Sequence, residues 1–536
     1  MNRLNKKARS WLGNSQAAIQ EYPRQFWVLV GAAFIDRLGG ALLFPFFTLY
    51  LTRKFMIGMT QVGVIFGVFA ISSFFGSMIG GALTDRLGRK SILIFGLVMS
   101  ALSSVLMGVI DALPLFIVVA LVVGILSETG GPAQQALVAD LLPEKQRASG
   151  FGIIRVAFKL AVTIGPVIGG FLATRSYLWL FITDAVTSII TAVIAYFALH
   201  ETRQKPELDA PEQSMGETFR GYFKVLRDTA YIWFLLASIL MVLVYLQMNT
   251  TLAVYLRDIH NVSEQGFGYI LSLNAGMVVL FQFSVTRWVN RYNPLMVMTV
   301  GTFLYAIGFV MYGFVGAYSL FLVAMVIITI GEMMVSPVGQ AIVARLAPED
   351  MRGRYMAVFG FSWLIPIAIG PFLAGLVMDY WNPDWVWYLA GIIGVLATGA
   401  YYWLGWQAER ARHHAIDERL SIVARLEEGQ ITAQQATQLL EVVEEGVWTR
   451  LAPAEPGAEK RHVRIQVSEM GSGIMKSDLR IPVGLVSTLR HTEAHVSSEL
   501  THYDQAELKG KIALGAAGHN PQHLQDGDES IEITIE

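Results

Sequence analysis

The sequence contains no cysteine and few charged residues. Without cysteine the chain can form no disulfide, no thiolate zinc site and no cysteine nucleophile. Charged residues make up 15% of the 536 positions, whereas a soluble globular domain carries about 25%. A polypeptide so poor in charge and so rich in hydrophobic residues is typical of a membrane protein.

Several chemical patterns are also missing from the sequence. It has no GxxxxGK[ST] loop, so ATP-driven chemistry is unsupported. We also find no nucleophile arrangement and no metal-ligand spacing among the ten histidines. We therefore expect neither an enzyme nor a bound metal or cofactor. The formal net charge of −2 gives no information about partners, and we expect no nucleic acid among them.

Long hydrophobic runs fill the first three quarters of the chain. Each is long enough to cross about 30 Å of hydrocarbon as a helix. We predict twelve spans, at 26–51, 60–83, 91–111, 114–139, 150–173, 177–199, 231–256, 266–287, 294–315, 318–345, 354–378 and 384–406. Basic residues concentrate in alternate loops, while the other loops hold little more than Arg53, Lys54, Arg175 and Arg257. By the positive-inside rule, both termini are cytoplasmic and the protein lies in the inner (plasma) membrane.

The first half of the chain repeats in the second half with a shift of 205 residues. The segment PAQQALVADLLPEKQR (132–147) aligns without a gap on PVGQAIVARLAPEDMR (337–352), and nine of sixteen positions are identical. The same shift places Gly165-Pro166 on Gly370-Pro371 and Gly170 on Gly375. A repeat of six helices is typical of transporters in which two bundles rock around a central site.

These features predict an all-α polytopic membrane protein with twelve transmembrane helices in two six-helix halves and a small α+β cytoplasmic tail. A cytoplasmic segment (1–25) precedes the first bundle (26–199), and a polar linker (200–230) leads to the second bundle (231–406). The soluble tail takes up residues 407–536.

The loop GALTDRLGRKS, between the second and third spans, resembles the signature loop of the major facilitator superfamily. The resemblance implies a gating loop that holds the two halves together in one state of the transport cycle. It assigns this role to Gly81, Asp85, Arg86, Gly88, Arg89 and Lys90, with Asp140 at the end of the fourth span. A carboxylate at Asp85 is suited to cap the N-terminus of a neighbouring helix. The second copy of the loop has Asn290 in place of the acid.

The fifth span resembles the antiporter signature of the same superfamily, and the first span resembles that of drug/proton antiporters. The matching residues of the fifth span are Gly152, Gly165, Pro166, Gly169 and Gly170. Small residues allow helices to approach closely in lipid, so the same pattern also fits a packing face unrelated to transport direction. The resemblance favours export.

Ionisable residues inside the spans are the candidates for proton coupling or for the substrate cavity: Asp36, Glu128, Glu332, Arg155 and Lys159. Asp36 is our first candidate, and Asp184 is expected to be structural. Glu128 and Lys159 lie at similar depths, about 18 and 15 Å from one membrane surface, close enough to pair. A fixed ion pair with Lys159 is therefore an alternative to a coupling role for Glu128. We also considered Asn274 and three other polar residues of spans seven and eight as cavity-lining groups.

The expected function is secondary active transport, namely proton-coupled export of small apolar or cationic compounds. An uptake symporter or facilitator of the same fold remains an alternative. A transporter-like membrane receptor or scaffold is an alternative of another class, although such a protein could lose the gating loop that this chain keeps.

The tail contains a predicted helical hairpin at 420–445, around Gly429 and with Thr432 as the N-cap of its second helix. It resembles the SHOCT-like hairpins appended to bacterial membrane proteins, and self-association through it is one possible use. The region 462–536 is β-rich. Its segments VRIQV and IEITI both alternate with period two, which predicts a C-terminal strand beside residues 463–467.

Overall fold

Twelve hydrophobic helices form the body of the protein. The computed structural model describes residues 22–202, 223–348, 351–444, 451, 462–469, 475–482, 496, 500, 504–516, 522–526 and 529–535. Within these residues, the segments long and apolar enough to cross a bilayer are, in order, Arg24–Phe55, Met59–Thr84, Arg89–Val109, Leu113–Leu141, Ser149–Arg175, Leu178–Ala198, Thr229–Thr250, Glu264–Val289, Pro294–Tyr312, Tyr318–Leu346, Arg352–Tyr380 and Trp385–Leu426. We number them spans one to twelve. The predicted spans are confirmed, while the predicted N-terminal segment up to residue 21 and the linker residues 203–222 lie outside the described residues.

Eight spans are single helices. They are Met59–Leu87 (span two), Arg89–Val109 (three), Glu144–Arg175 (five), Leu178–Ala198 (six), Glu264–Val289 (eight), Pro294–Tyr312 (nine), Tyr318–Leu346 (ten) and Trp385–Glu427 (twelve). The glycine and proline residues inside spans five and ten do not break those helices.

The other four spans are interrupted. Span one consists of Arg24–Leu43, the 3-10 turn Phe44–Phe46 and Phe47–Phe55, and Pro45 explains the turn because it cannot donate a backbone hydrogen bond. Span four is Leu113–Ser127 followed by Gly130–Leu141, span seven continues past Thr251 as Leu252–His260, and span eleven is Arg352–Phe359 followed by Phe361–Tyr380. Transporters of repeat architecture place their sites beside such discontinuous helices.

The internal repeat is visible in the backbone. Among the described residues, Met56 and Asn261 are the two non-glycine positions with positive φ, at 52° and 54°, and they lie 205 residues apart. Each ends the short helix that completes an interrupted span, span one in the first half and span seven in the second. The two halves therefore share the same local geometry at equivalent positions.

Equivalent glycines also make equivalent contacts between the halves. A Cβ atom on Gly375 would lie 2.4 Å from the main chain of Met59, at the start of span two. A Cβ atom on Gly170, its repeat partner, would lie 3.1 Å from the carbonyl oxygen of Glu264, at the start of span eight. Spans eleven and two, and spans five and eight, thus meet backbone to backbone around a pseudo-twofold axis.

The tail begins without a break in the chain's last membrane helix. Helix Trp385–Glu427 has 43 residues, so the predicted boundary after Trp406 falls inside it. Gly429, with φ +70°, ends this helix, and a second helix follows at Ala433–Glu444. The predicted N-cap is present, since Thr432 Oγ1 accepts a hydrogen bond of 3.3 Å from the backbone N–H of Gln435.

A four-stranded antiparallel sheet completes the tail. Its strands are β1 (His462–Glu469), β2 (Met475–Pro482), β3 (Gln522–Asp526) and β4 (Glu529–Ile535), in the order β2-β1-β4-β3, with helix Gln505–Ala516 beside it. Val463 pairs with Ile535 and Ile465 with Ile533, which confirms the predicted C-terminal strand. The apolar face of the sheet shares one core with Ile422 at the end of the long helix.

Candidate functional site

Charged side chains inside the spans show where the cavity lies. Arg37, Glu128, Arg155 and Lys159 are all accessible, although each lies within a span. A charged side chain that faces lipid at such a depth is costly, so accessible charges there line a water-filled space. These residues belong to spans one, four and five, and the space therefore lies along the inner face of the first half.

Three acids and one guanidinium form a cluster of charged residues in the first half. Asp36, Glu128 and Asp184 are the acids, and Asp36 interacts electrostatically with each of the other two. The guanidinium of Arg37 acts on Asp36 and Glu128 and also lies 5.3 Å from the ring centre of Phe158. Each carboxylate accepts a hydrogen bond from a serine: Ser188 at 3.0 Å for Asp36, Ser104 for Asp184 and Ser73 for Glu128. We call these four charged residues the acidic cluster.

The alternative of an ion pair between Glu128 and Lys159 is wrong. Lys159 Nζ instead lies 3.3 Å from Glu332 Oε1, on span ten of the other half. Depth along the membrane normal, on which the expectation was based, does not specify the direction in which a side chain leaves its helix. The Lys159 side chain is 47% exposed, whereas that of Glu332 is 6% exposed.

Polar side chains of the second half hold the Glu332 carboxylate in place. Asn274 Nδ2 donates to Glu332 Oε2 at 2.8 Å and also lies 3.0 Å from Thr329 Oγ1. The Tyr245 hydroxyl, on span seven, also interacts with the carboxylate. Sequence reasoning named Asn274 as a cavity candidate but missed Tyr245, because an isolated tyrosine in an apolar helix carries no signal of its contacts.

A second polar contact joins spans five and ten. It lies nearer the beginning of span five and the end of span ten. Arg155 Nη1 donates to Gln340 Oε1 at 2.7 Å. Arg155 precedes Lys159 by one helical turn, and Gln340 follows Glu332 by about two turns. The structure thus brings the two bases of span five onto the same neighbouring helix. Their partners differ, since one is a carboxyl group and the other a neutral amide.

The loop of residues 81–91 packs at what we call the loop end of the bundle. Arg89 Nε lies 3.0 Å from Asp140 Oδ2, and Thr202 Oγ1 donates to the same oxygen at 2.8 Å. Glu201, which sequence reasoning missed, accepts hydrogen bonds of 2.7 and 3.4 Å from the backbone N–H groups of Arg89 and Lys90. It thereby caps the N-terminus of span three.

The remaining residues of the 81–91 loop differ in their contacts and backbone conformation. Gly88 has φ +106°, which makes glycine the suitable residue at this turn. Lys90 Nζ donates to the carbonyl oxygen of Tyr196 at 2.7 Å, while Arg86 is exposed and Gly81 has open space around its Cβ position. The side chain of Asp85 lies outside the described part of the chain.

The opposite end of the bundle, which we call the outer end, is held closed by contacts between the halves. Asp379 Oδ1 and Oδ2, at the end of span eleven, accept hydrogen bonds of 2.9 and 2.8 Å from the backbone N–H groups of Met59 and Thr60. Arg53 pairs with Glu264 at 3.3 Å. Because the outer end is closed, the accessible charges of the cavity must be reached from the loop end.

Three glycines of the span-five motif permit close packing. Cβ atoms on Gly165 and Gly169 would lie 2.9 and 2.5 Å from main-chain carbonyl oxygens of span one, and Gly170 meets span eight. Pro166 belongs to the same contact, because its carbonyl oxygen would lie 2.7 Å from a Cβ atom on Gly268. Gly152 has open space around it. The motif therefore fits span five between span one and the other half.

A family profile described as Major Facilitator Superfamily matches residues 29–273 and residues 248–452. The chain belongs to this superfamily. Together the two matches cover both halves of the repeat. The transporter is thus a multi-pass membrane protein, and its family is one of transporters and not of enzymes.

Curated relatives match the transporter over most of its membrane region. A Na(+), Li(+), K(+)/H(+) antiporter from Planococcus maritimus is 26% identical over 414 residues, covering 72% of this chain and 97% of the relative. The class H tetracycline resistance protein of Pasteurella multocida is 25% identical over 64% of this chain and 86% of its own length. The multidrug resistance protein MdtH of Shigella flexneri is 22% identical, over 70% and 92% respectively.

Solved structures share the transporter's fold. A POT family transporter in complex with 5-aminolevulinic acid superposes with a TM-score of 0.59 at 17% identity, over 70% of this chain and 95% of that one. The nucleoside transporter NupG gives a TM-score of 0.59 at 16% identity, over 71% and 98%. At such identities the likeness concerns the fold alone.

Proposed function

We propose that this transporter exports small cationic or apolar compounds from the cytoplasm in exchange for protons, by alternating access across the plasma membrane. The loop end is cytoplasmic in this proposal, as are both termini. The concentration of basic residues in the loops of that end supports the orientation. The energy source is the proton gradient, since the sequence offers no nucleotide-binding loop.

The acidic cluster is the observation that carries the proposal. The cluster contains three carboxylates and one guanidinium, which acts on two of them, so it would hold an excess of negative charge if every acid were ionised. Excess charge in a site of low dielectric constant is costly, and either uptake of a proton by the cluster or arrival of a cationic substrate in the same cavity relieves that cost. Exchange requires that the proton and the substrate cation exclude each other.

The arrangement of the halves supports alternating access. The outer end is closed by Asp379 and by the glycine contacts of Gly170 and Gly375, while the cavity charges are accessible. This is the conformation expected of a transporter open to the cytoplasm. If these contacts were lost and contacts of the 81–91 loop formed in their place, the cavity would open at the outer end.

The relatives support cationic and drug-like substrates. The names of the three proteins compared above refer to a cation/proton antiporter, to tetracycline resistance and to multidrug resistance. Antiport is therefore the mode of coupling that we assign, and Na⁺, Li⁺, K⁺, tetracycline and a lipophilic organic cation form the first substrate panel.

Proteoliposomes with an imposed pH gradient test the proposal. We expect accumulation of at least one compound of the panel to depend on the gradient and proton release to accompany substrate addition. Asp36→Asn should abolish gradient-driven accumulation and spare downhill exchange, because the cluster loses its central proton acceptor. Asp111→Asn, which alters an exposed acid at the outer end, is the matched control.

One result would change the residue that we assign to coupling, and another would contradict export. Unchanged proton flux in the Asp36→Asn protein would remove that residue from coupling and transfer the role to Glu332. Substrate and protons moving in the same direction would identify the protein as a symporter instead.

A further inference from the structure

Glu332 is a buried carboxylate whose counter-charge comes from the other half of the protein. Its own half supplies Asn274 and Tyr245, which are neutral groups, and the ammonium of Lys159 reaches it from span five. A buried acid of this kind needs a cation beside it. The cation that the structure provides is Lys159. It belongs to the other half of the protein, which must move relative to Glu332 during alternating access.

The two members of the pair differ in their environment. The side chain of Glu332 is 6% exposed and that of Lys159 is 47% exposed, so the lysine reaches into the site from the cavity. A lysine ammonium is a compact, well-hydrated point charge on a flexible stem. Withdrawing Lys159 into the cavity water therefore costs less than exposing Glu332 would.

We propose that Glu332 is the binding site for a cationic substrate and that Lys159 is a tethered competitor for it. The substrate is a monovalent cation, either an alkali metal ion or an organic ammonium compound, and it replaces the Lys159 ammonium on the carboxylate. The displaced lysine no longer links spans five and ten, so binding weakens a contact between the halves. The inference rests on the proposed export function and specifies its substrate class.

The arrangement around the carboxylate suits a small cation. Glu332 Oε2 is fixed by Asn274, which in turn is held by Thr329. Glu332 Oε1 lies 3.3 Å from Lys159 Nζ, whose side chain extends from the cavity. The oxygen that faces the lysine is therefore the one that an incoming cation would meet.

Binding measurements on the purified full-length protein test the competition. Binding of Li⁺, Na⁺, K⁺, methylammonium and a lipophilic organic cation is measured by calorimetry at neutral and at alkaline pH, and the series separates metal ions from ammonium compounds. Lys159→Gln should tighten binding of the true ligand class by about tenfold, because a competing contact worth about 1.4 kcal/mol is gone. Glu332→Gln should abolish binding, and the double variant should resemble Glu332→Gln. Arg175→Gln, which removes an exposed base at the far end of span five, should leave the affinity unchanged.

A chemical rescue guards against misfolded variants. The chain has no cysteine, so Lys159→Cys can be modified at that position alone. Aminoethyl methanethiosulfonate adds a new ammonium and should restore the weaker, wild-type affinity, whereas the neutral methyl reagent should keep the tight one. Unchanged or weaker binding in Lys159→Gln would overturn the inference.

The proposed function fails in a different way. If wild-type proteoliposomes accumulate a cation under a pH gradient but Lys159→Gln does not bind it more tightly, the competition is wrong and export stands. If Glu332-dependent binding is present but no compound responds to a gradient of either polarity, the site stands and proton-coupled export is wrong.

Discussion

Asp379 offers a direct test of how the outer end is held closed. Its two carboxylate oxygens accept from two backbone N–H groups at the N-terminus of span two, across the interface of the halves. Hydrogen bonds to a charged acceptor contribute about 1.5–3 kcal/mol and a charge at a helix N-terminus about 0.3–1 kcal/mol. Because Asp379 is exposed, we take the low end and expect Asp379→Ala to destabilise the closed outer end by about 1–2 kcal/mol.

A destabilisation of this size changes the conformational equilibrium by a factor of roughly 5 to 30. The assay is a spin-label distance measurement between cysteines placed at Val109 and Phe314, exposed positions near the outer ends of spans three and nine that are equivalent in the repeat. We expect a new long-distance population in Asp379→Ala and a smaller one in Asp379→Asn, which keeps one acceptor oxygen. Asp111→Asn should have no effect, since its partner Lys54 belongs to the same half. Identical distance distributions in Asp379→Ala and wild type would refute the reasoning.

Three further perturbations have clear expected outcomes. Gly375→Ala should insert normally but lose most transport in proteoliposomes, because its Cβ would lie 2.4 Å from the main chain of span two. Gly152→Ala, whose Cβ would lie in open space, should stay active. Equal activity of the two variants would show that the close contact is unimportant. Asp85→Asn and Glu201→Gln should each reduce transport at normal membrane abundance. The second change weakens the cap of span three, because glutamine keeps one acceptor oxygen but loses the charge. Full activity at equal expression would exclude a switching role. A chain truncated after Arg410 should still transport. Any change should affect only its oligomeric state, which light scattering measures. A truncated protein that inserts stably but is inactive would show that the tail takes part in the transport cycle.

The spans and the tail strands could be predicted because their signals are local. A run of more than eighteen apolar residues has few alternatives to a membrane helix. Period-two alternation likewise required VRIQV and IEITI to share an apolar face, and the pairing of Val463 with Ile535 followed. The repeat added long-range information, since residues 205 apart proved to make equivalent contacts.

The partners of the embedded charges could not be predicted in the same way. Glu128 and Lys159 were matched by depth, but the rotation of span five about its axis directs Lys159 to Glu332 instead. The outer contact of Asp379 depends on the tilt of spans two and eleven, which hydropathy does not encode. Glu201 was missed because it lies in a polar linker whose sequence looks like any solvated connection. The roles assigned to Asp36 and Asp85 stay predictions.

Because the helix Trp385–Glu427 is unbroken, a rotation of its membrane-embedded part also moves the tail. From Trp406 to its end the helix extends about 32 Å, and Ile422 and Leu426 anchor it in the core of the tail. A rigid rod of this length magnifies small rotations at its base, so a tilt of one tenth of a radian moves its far end by roughly 3 Å. A fluorophore on the tail would therefore follow the rocking of the second half from outside the bilayer, without any label in the transport pathway.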